Sequence, residues 1–352
     1  MSGPPVGADV RGPVDARLAD LLEDERRRWS DVDPDLSEPF EVLAAYVMGG
    51  GKRLRPAFCH WAFVGAGGDA ADPLVSAAGA ALEMLHTAAL VHDDVIDASE
   101  VRHGSESVHV RFAGRHRQAG WAGRPERFGE GVAILIGDLA LVYSSRLMAG
   151  APPAAMEVFE DMRLEVNIGQ YLDVVGTAAG PAAAGAKGAA ADRARRICRY
   201  KTAKYTIERP LHLGAALAGR FPDLASPLSD FGLPLGEAFQ LKDDLLGVFG
   251  DPVVTGKPVG DDLREGKPTL LAGLAAERDG RFAARFGRPE LTGADVADLQ
   301  QMIVATGARA DVEGEIAALV ERSEKALDAL PVTEEARDAL RRLARFVAGR
   351  DR

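Results

Sequence analysis

Apolar residues recur at i, i+3 and i+4 through 74–96, 131–149, 156–174, 194–219, 228–249 and 311–329, and alternating β-branched runs are few. A stripe at that period buries one face of a helix against its neighbours. The chain therefore reads as nearly all-α. At 352 residues it is long for one domain, yet helices packed around a single large cavity reach this size, and residues 16–352 are read as one such domain. Residues 1–15, which carry Pro and Gly and lack an apolar core, read as a loose tail and not a signal peptide. The Ala- and Gly-rich run 176–188 reads as a flexible loop between helices.

Two aspartate pairs punctuate these helices. One ends Ala88-Ala89-Leu90-Val91-His92-Asp93-Asp94-Val95-Ile96-Asp97; the other lies in Phe239-Gln240-Leu241-Lys242-Asp243-Asp244-Leu245-Leu246-Gly247. Residues three and four apart share a helix face, so Asp93 and Asp97 point the same way with Asp94 beside them. A DDxxD pattern alone is more often a solvated face or a helix cap. Here the flanks, 81–91 and 236–241, are apolar enough to be core, and charge at the mouth of a buried helix needs a partner. Hard oxygen donors favour Mg²⁺, which keeps several waters and is held by a few carboxylates together with substrate phosphates. Two such clusters facing one another would grip a diphosphate between metal ions.

The basic segments supply the complementary charge. Gly49-Gly50-Gly51-Lys52-Arg53-Leu54-Arg55-Pro56 offers pliable backbone followed by three cations, a plausible anion cradle. It is not a nucleotide P-loop, because Tyr46 stands where the motif needs Gly and Arg53 where it needs Ser or Thr. Gly256-Lys257 and Gly266-Lys267 fail the same test, with Asp251 and Asp261 in the Gly place and Pro after each Lys. The net charge of −11 argues against nucleic acid as a partner and leaves an anionic substrate dependent on local cations. Cys59 and Cys198 are too few for a disulfide framework and suggest a reducing cytoplasm. The most apolar stretches, 132–150 and 74–92, contain Asp138 and Arg146, and Glu83 and His86, so no stable membrane insertion is expected.

Taken in order, 50–56, Glu83-Met84-Leu85-His86-Thr87, Asp93–Asp97 with Arg102-His103-Gly104 behind it, Gly169-Gln170-Tyr171-Leu172-Asp173, Tyr200-Lys201-Thr202, 239–244, and Gly256-Lys257 through Lys267 resemble the trans-isoprenyl diphosphate synthases, or polyprenyl synthetases. The resemblance runs from about residue 40 to about 345 and implies an isoprenoid synthase-type helical bundle around a central apolar cavity, assembled as a homodimer. It also implies a prenyltransferase that joins isopentenyl diphosphate to an allylic diphosphate. Asp93, Asp94, Asp97, Asp243 and Asp244 match the positions that hold the Mg²⁺ ions, about three per site. Arg102, Lys201 and Lys257 match those that clamp the allylic diphosphate, with Gln240 nearby. Lys52, Arg55 and His86 match the isopentenyl diphosphate positions, Gln170 and Thr202 the pocket lining, and Lys267 the closing segment. A lone His is usually a packed core residue; His86 stands two turns before Asp93 on the same helix, which favours the binding role.

Three departures stand out. His103 occupies a place where most members carry Arg, which weakens one contact to the homoallylic diphosphate. Gly247 replaces a third Asp in the second motif, and Asp251, about 10 Å further along a helix, is too far to substitute directly. The stretch 113–130, with Arg115, His116, Arg117, Trp121 and Arg124, reads as a long basic connection, either a solvated loop or a lid. In that family the growing tail runs back along the helix before the first Asp, so the resemblance implies that length is set by the residues before Asp93: Ala89 and Ala88 leave the first floor open, and Met84 and Leu85, one turn deeper, close it, with Met the more yielding. The expected product is geranylgeranyl diphosphate (C20), with C25 or longer as the alternative. A class I terpene cyclase shares DDxxD but has no use for a second diphosphate site, and non-catalytic synthase subunits typically lose the aspartates.

Overall fold

The computed structural model describes residues 7–49, 51–102, 104–180, 188–250, 260–288 and 290–349. Helices α1 (Ala8–Ser30), α2 (Ser37–Met48), α3 (Leu54–Gly65), α4 (Pro73–Ile96), α5 (Val108–Ala119), α6 (Pro125–Leu147) and α7 (Pro153–Ala179) form the first half. The second half comprises α8 (Ala189–Ile197), a π-helical segment (Cys198–Glu208), α9 (Arg209–Leu217), α10 (Phe221–Phe249), α11 (Asp261–Glu265), α12 (Leu270–Arg278), α13 (Gly280–Arg285), α14 (Gly293–Ala305), α15 (Ala308–Ala329) and α16 (Glu334–Ala348). Among the described residues the only sheet is a two-stranded antiparallel hairpin, Val101–Arg102 with Ser105–Glu106. The all-α expectation holds.

Helix α4 runs through the centre. Asp72 caps its start by accepting from the Leu74 N–H, and Pro73 stands at the first turn, where its missing N–H costs nothing. One side of α4, with Ala80, Met84, Ala88 and Val91, packs against α1, α2, α5 and α6. Another, with Ala78, Ala81, Leu82 and Leu85, packs against α3, α7 and α9. Held on both sides, it delivers its last turn, Asp93 to Asp97, to one end of the bundle.

The π segment is fitted between α7 and α10 by two glycines. A Cβ on Gly169 would lie 2.3 Å from the Lys201 backbone nitrogen, and one on Gly236 would lie 2.6 Å from Ala203 Cα. Only residues without a side chain admit this approach. The wider helix that results carries Lys201 and Thr202, and such segments are frequent at functional sites.

Four local readings change. Helix α1 begins at Ala8, inside the stretch read as a tail: Val10 and Val14 are buried with Leu18 and Leu22 at helical spacing. Each buried aliphatic contributes about 1.5–3 kcal/mol, enough together to offset the roughly 3 kcal/mol of Pro13 inside the helix. The 113–130 stretch is mostly the ends of α5 and α6. Gly120, at φ 64°, ends α5, Pro125 starts α6, and Arg115 pairs with Glu38 and Asp35, so this cation faces its own fold. Residues 176–179 complete α7, and 181–187 lie outside the described residues. Finally, α4 and α6 are both long and apolar enough to cross a membrane, despite their ionisable residues; in the fold 72% of the α4 window and 39% of the α6 window are buried.

Candidate active site

Asp93 and Asp97 share the outer face of the last turn of α4, as spacing predicts. Asp93 Oδ1 accepts from Gln170 Nε2 at 2.7 Å and lies 3.3 Å from Lys201 Nζ, which also donates to Asp173 Oδ2 at 2.6 Å. Gln170 and Asp173 come from α7 and Lys201 from the π segment, so three elements converge on this carboxylate. Burial acts to raise the Asp93 pKa, but Lys201 and the Gln170 hydrogen bond hold it below the ordinary value. At Asp97 the balance goes the other way: burial, with the Asp93 charge beside it, outweighs Lys201 and Lys267 and pushes it up to about 6.

Asp94 does not join them. It is fully buried, accepts from Arg102 Nε at 2.9 Å and again from Arg102 Nη2, and accepts from the Tyr46 hydroxyl. Its carboxylate ties the hairpin that carries Arg102 to α2 and α4. The structure thus separates the expected ligand triad into a facing pair and a structural third.

Across the site, α10 presents an exposed Asp243 and a buried Asp244, whose Oδ1 accepts from Gln240 Nε2 at 2.7 Å. Burial pushes Asp244 up to about 8 against that hydrogen bond, with the charges of Asp262 and Asp243 adding to the rise. Lys267 links the two sides. Its ammonium lies 3.2 Å from Asp262 and 3.0 Å from Glu265, and its proton is also stabilised by Asp97.

Gly247, where a third aspartate was missed, is not an empty place. A Cβ there would stand 2.0 Å from Asp262 Oδ2, so a carboxylate from α11 already occupies the space that a longer residue 247 would claim. Sequence reading overlooked Asp262 because it looked for a replacement along α10; the signal was its position five residues before Lys267 in the closing segment. Asp251, Lys257 and His103 lie outside the described residues.

The second cationic set combines His86 of α4 with Arg55 at the start of α3 and Lys52 just before it. Arg55 stacks on the Tyr205 ring at 4.4 Å and donates to Thr206 Oγ1 at 3.0 Å; His86 meets the same ring at 6.2 Å; Lys52 lies over Phe346 at 5.1 Å. Buried Tyr205, not singled out from the sequence, is the shared platform, and its hydroxyl has no hydrogen-bond partner. Seven residues separate His86 from Asp93, about 10 Å along a helix. Arg53 is no part of this set: it is buried in the fold and paired with Glu83 and Asp15.

Ala88 and Met84, both without solvent exposure, stack a turn apart in the layer formed with α2, α5 and α6, whereas Leu85 belongs to the layer with α3 and α7. Ala89 is half-buried on the His86–Asp93 face. Thr202 is half-buried on the π segment.

The donors fit a hard divalent cation. They are carboxylate oxygens, and burial lifts Asp97 and Asp244 toward neutrality, so a cation bound beside them would favour their charged forms. Among the described residues no group of three or more His, Cys, Asp or Glu side chains closes on one point; Mg²⁺ is commonly held by one or two carboxylates, with water and phosphate completing its shell.

A model of the family described as polyprenyl synthetase matches residues 37–301. The geranylfarnesyl diphosphate synthase of Aeropyrum pernix is 30% identical over 316 residues, covering 86% of this chain and 92% of that protein. The geranylgeranyl diphosphate synthase of Mycobacterium tuberculosis is 31% identical over 325 residues, covering 84% and 85%. A crystal structure of geranylgeranyl pyrophosphate synthase from Corynebacterium glutamicum, complexed with isoprenyl diphosphate and magnesium, superposes with a TM-score of 0.87 at 37% identity over 96% of this chain and 97% of that one. With paired aspartates on α4 and α10 and a fold shared end to end, the chain belongs to the polyprenyl synthetase family of prenyl-transferring enzymes.

Proposed function

We propose that the protein condenses isopentenyl diphosphate with an allylic diphosphate, dimethylallyl, geranyl or farnesyl, and makes mainly geranylgeranyl diphosphate. The observation that carries this reading is a pair of charged groups met along α4: carboxylates at its end, facing those of α10, and two turns earlier His86, which shares the Tyr205 ring with Arg55. Asp93, Asp97, Asp243 and Asp244 would hold Mg²⁺, which acts as a Lewis acid on the allylic diphosphate. Lys201 and Arg102 offset the charge that grows as the C–O bond breaks. Lys52, Arg55 and His86 hold isopentenyl diphosphate so that its double bond meets the allylic carbon. The apolar layers beside α4 exclude water from the cation. Proton loss, with the departing diphosphate as base, completes a product one C5 unit longer. Lys257, His103, Gln240, Gln170, Thr202 and Lys267 are proposed as further substrate contacts. Diphosphate release tests the two-site reading: it should require both substrates, whereas a cyclase would release it from the allylic one alone.

Relatives include both geranylgeranyl and geranylfarnesyl synthases, so length rests on the residues before Asp93. Ala88 and Met84 stack on one face, one turn of about 5.4 Å apart, close to an isoprene unit. Ala89→Phe should shift the main product from C20 toward C15, and Met84→Ala should lengthen it. Leu85→Ala, in the other layer, should mainly destabilise, by about 2–5 kcal/mol. Product chromatography checks this; unchanged product in both Ala89→Phe and Met84→Ala would place the floor elsewhere.

The same reading pairs two copies of the chain in a reducing cytoplasm, in keeping with the free cysteines Cys59 and Cys198. Leu135 and Val142 on α6, and Leu164, Ile168 and Tyr171 on α7, form exposed apolar stripes at helical spacing. A two-fold interface sets such a patch against its own copy. Light scattering should give twice the chain mass, and Tyr171→Glu should reduce it; a monomeric native chain would contradict the pairing.

A further inference from the structure

Arg53 adopts φ 51°, ψ 36°, a left-handed conformation that disfavours every residue with a Cβ. A glycine would sit there without strain, and Gly51 lies two residues away, so the backbone alone does not account for an arginine. Its side chain does. The residue is 4% exposed, and its guanidinium reaches three helices: Nε to Asp15 on α1 at 2.8 Å, Nη1 to Glu83 on α4 at 2.5 Å, and Nη2 to the Val47 carbonyl on α2 at 2.9 Å. Arg11 on α1 also donates to the Gly51 carbonyl.

Glu83 stands one turn before His86 on α4, and Arg53 stands between Lys52 and Arg55. The buried pair therefore joins the segment bearing two of the cations to the helix turn bearing the third group. Its charge is neutralised by two carboxylates, so it adds no attraction for an anion. We infer that Arg53, through Glu83, is a positioning residue that sets Lys52 and Arg55 in register with His86, and so fixes the geometry of the second diphosphate subsite. This rests on the two-site reading above and concerns that site's construction.

The test is steady-state kinetics on the full-length protein with Mg²⁺, varying each substrate while the other saturates. Arg53→Gly keeps the backbone conformation. It should raise the KM for isopentenyl diphosphate about tenfold or more and leave the allylic KM within about twofold. Glu83→Gln, nearly isosteric, should move the same constant in the same direction and covers the case in which Arg53→Gly fails to fold. Combined with Arg55→Ala, Arg53→Gly should add less than it does alone, because both act on one contact set. Equal shifts in both KM values, or additive effects in the double variant, would make Arg53 a general stabiliser and overturn the inference. Lys52→Ala separates the levels. If it raises the isopentenyl diphosphate KM while Arg53→Gly and Glu83→Gln do not, the positioning role fails and the two-site reading stands; if Lys52→Ala has no effect, both fall.

Discussion

Asp93→Ala should lower turnover several hundredfold, on the order of losing a main electrostatic stabiliser of the transition state. Asp93 is where the ligand face of α4, Gln170 on α7 and Lys201 on the π segment converge, and its carboxylate is held ionised while Asp97 nearby is lifted to about 6. Asp94, next to it in the chain, does not stand in for it, since that carboxylate is committed to Arg102 and Tyr46. EDTA should abolish native activity to a similar degree, and Mg²⁺ should restore it. More than a tenth of native turnover in Asp93→Ala would remove Asp93 from the metal site.

Lys201→Ala should come second, with turnover reduced about a hundredfold or more. Lys201 is the cation between Asp93 and Asp173, and neighbouring carboxylates raise its pKa against the effect of burial. Its loss leaves a cluster of partly buried carboxylates facing one another. The metal-free variant should therefore melt below the native protein, and Mg²⁺ should recover part of the difference by taking over the missing charge. Calorimetric scans with and without Mg²⁺, run beside the rate assay, read both effects. A variant with native turnover, or a melting deficit that Mg²⁺ leaves unchanged, would separate Lys201 from the metal-bound diphosphate.

Periodicity made the helices legible, because burial of an apolar stripe is a local property of the residues that carry it. The pairing of Asp93 with Asp97 was legible for the same reason. What escaped depends on contacts between distant segments. The π segment carries no signature of its own; its place is visible only in the fold, where Gly169 and Gly236 let α7 and α10 close on it. Adjacent Lys52, Arg53 and Arg55 read as one cradle, but the left-handed turn at Arg53 sends its side chain into the core. Asp94 looked like its neighbours until Arg102 and Tyr46 claimed it. Gly247 looked like a loss because the carboxylate that fills its space arrives from α11.

The central proposal is head-to-tail condensation at two diphosphate sites, one on each side of the His86–Asp93 stretch of α4. Incubating the purified protein with Mg²⁺, isopentenyl diphosphate and each allylic diphosphate in turn, then identifying products by mass, tests this directly. The predicted result is a chain-extended diphosphate, mainly C20, formed only when both substrates and the metal are present. A hydrocarbon or alcohol formed from the allylic substrate alone, or no extension of any allylic primer, would contradict it.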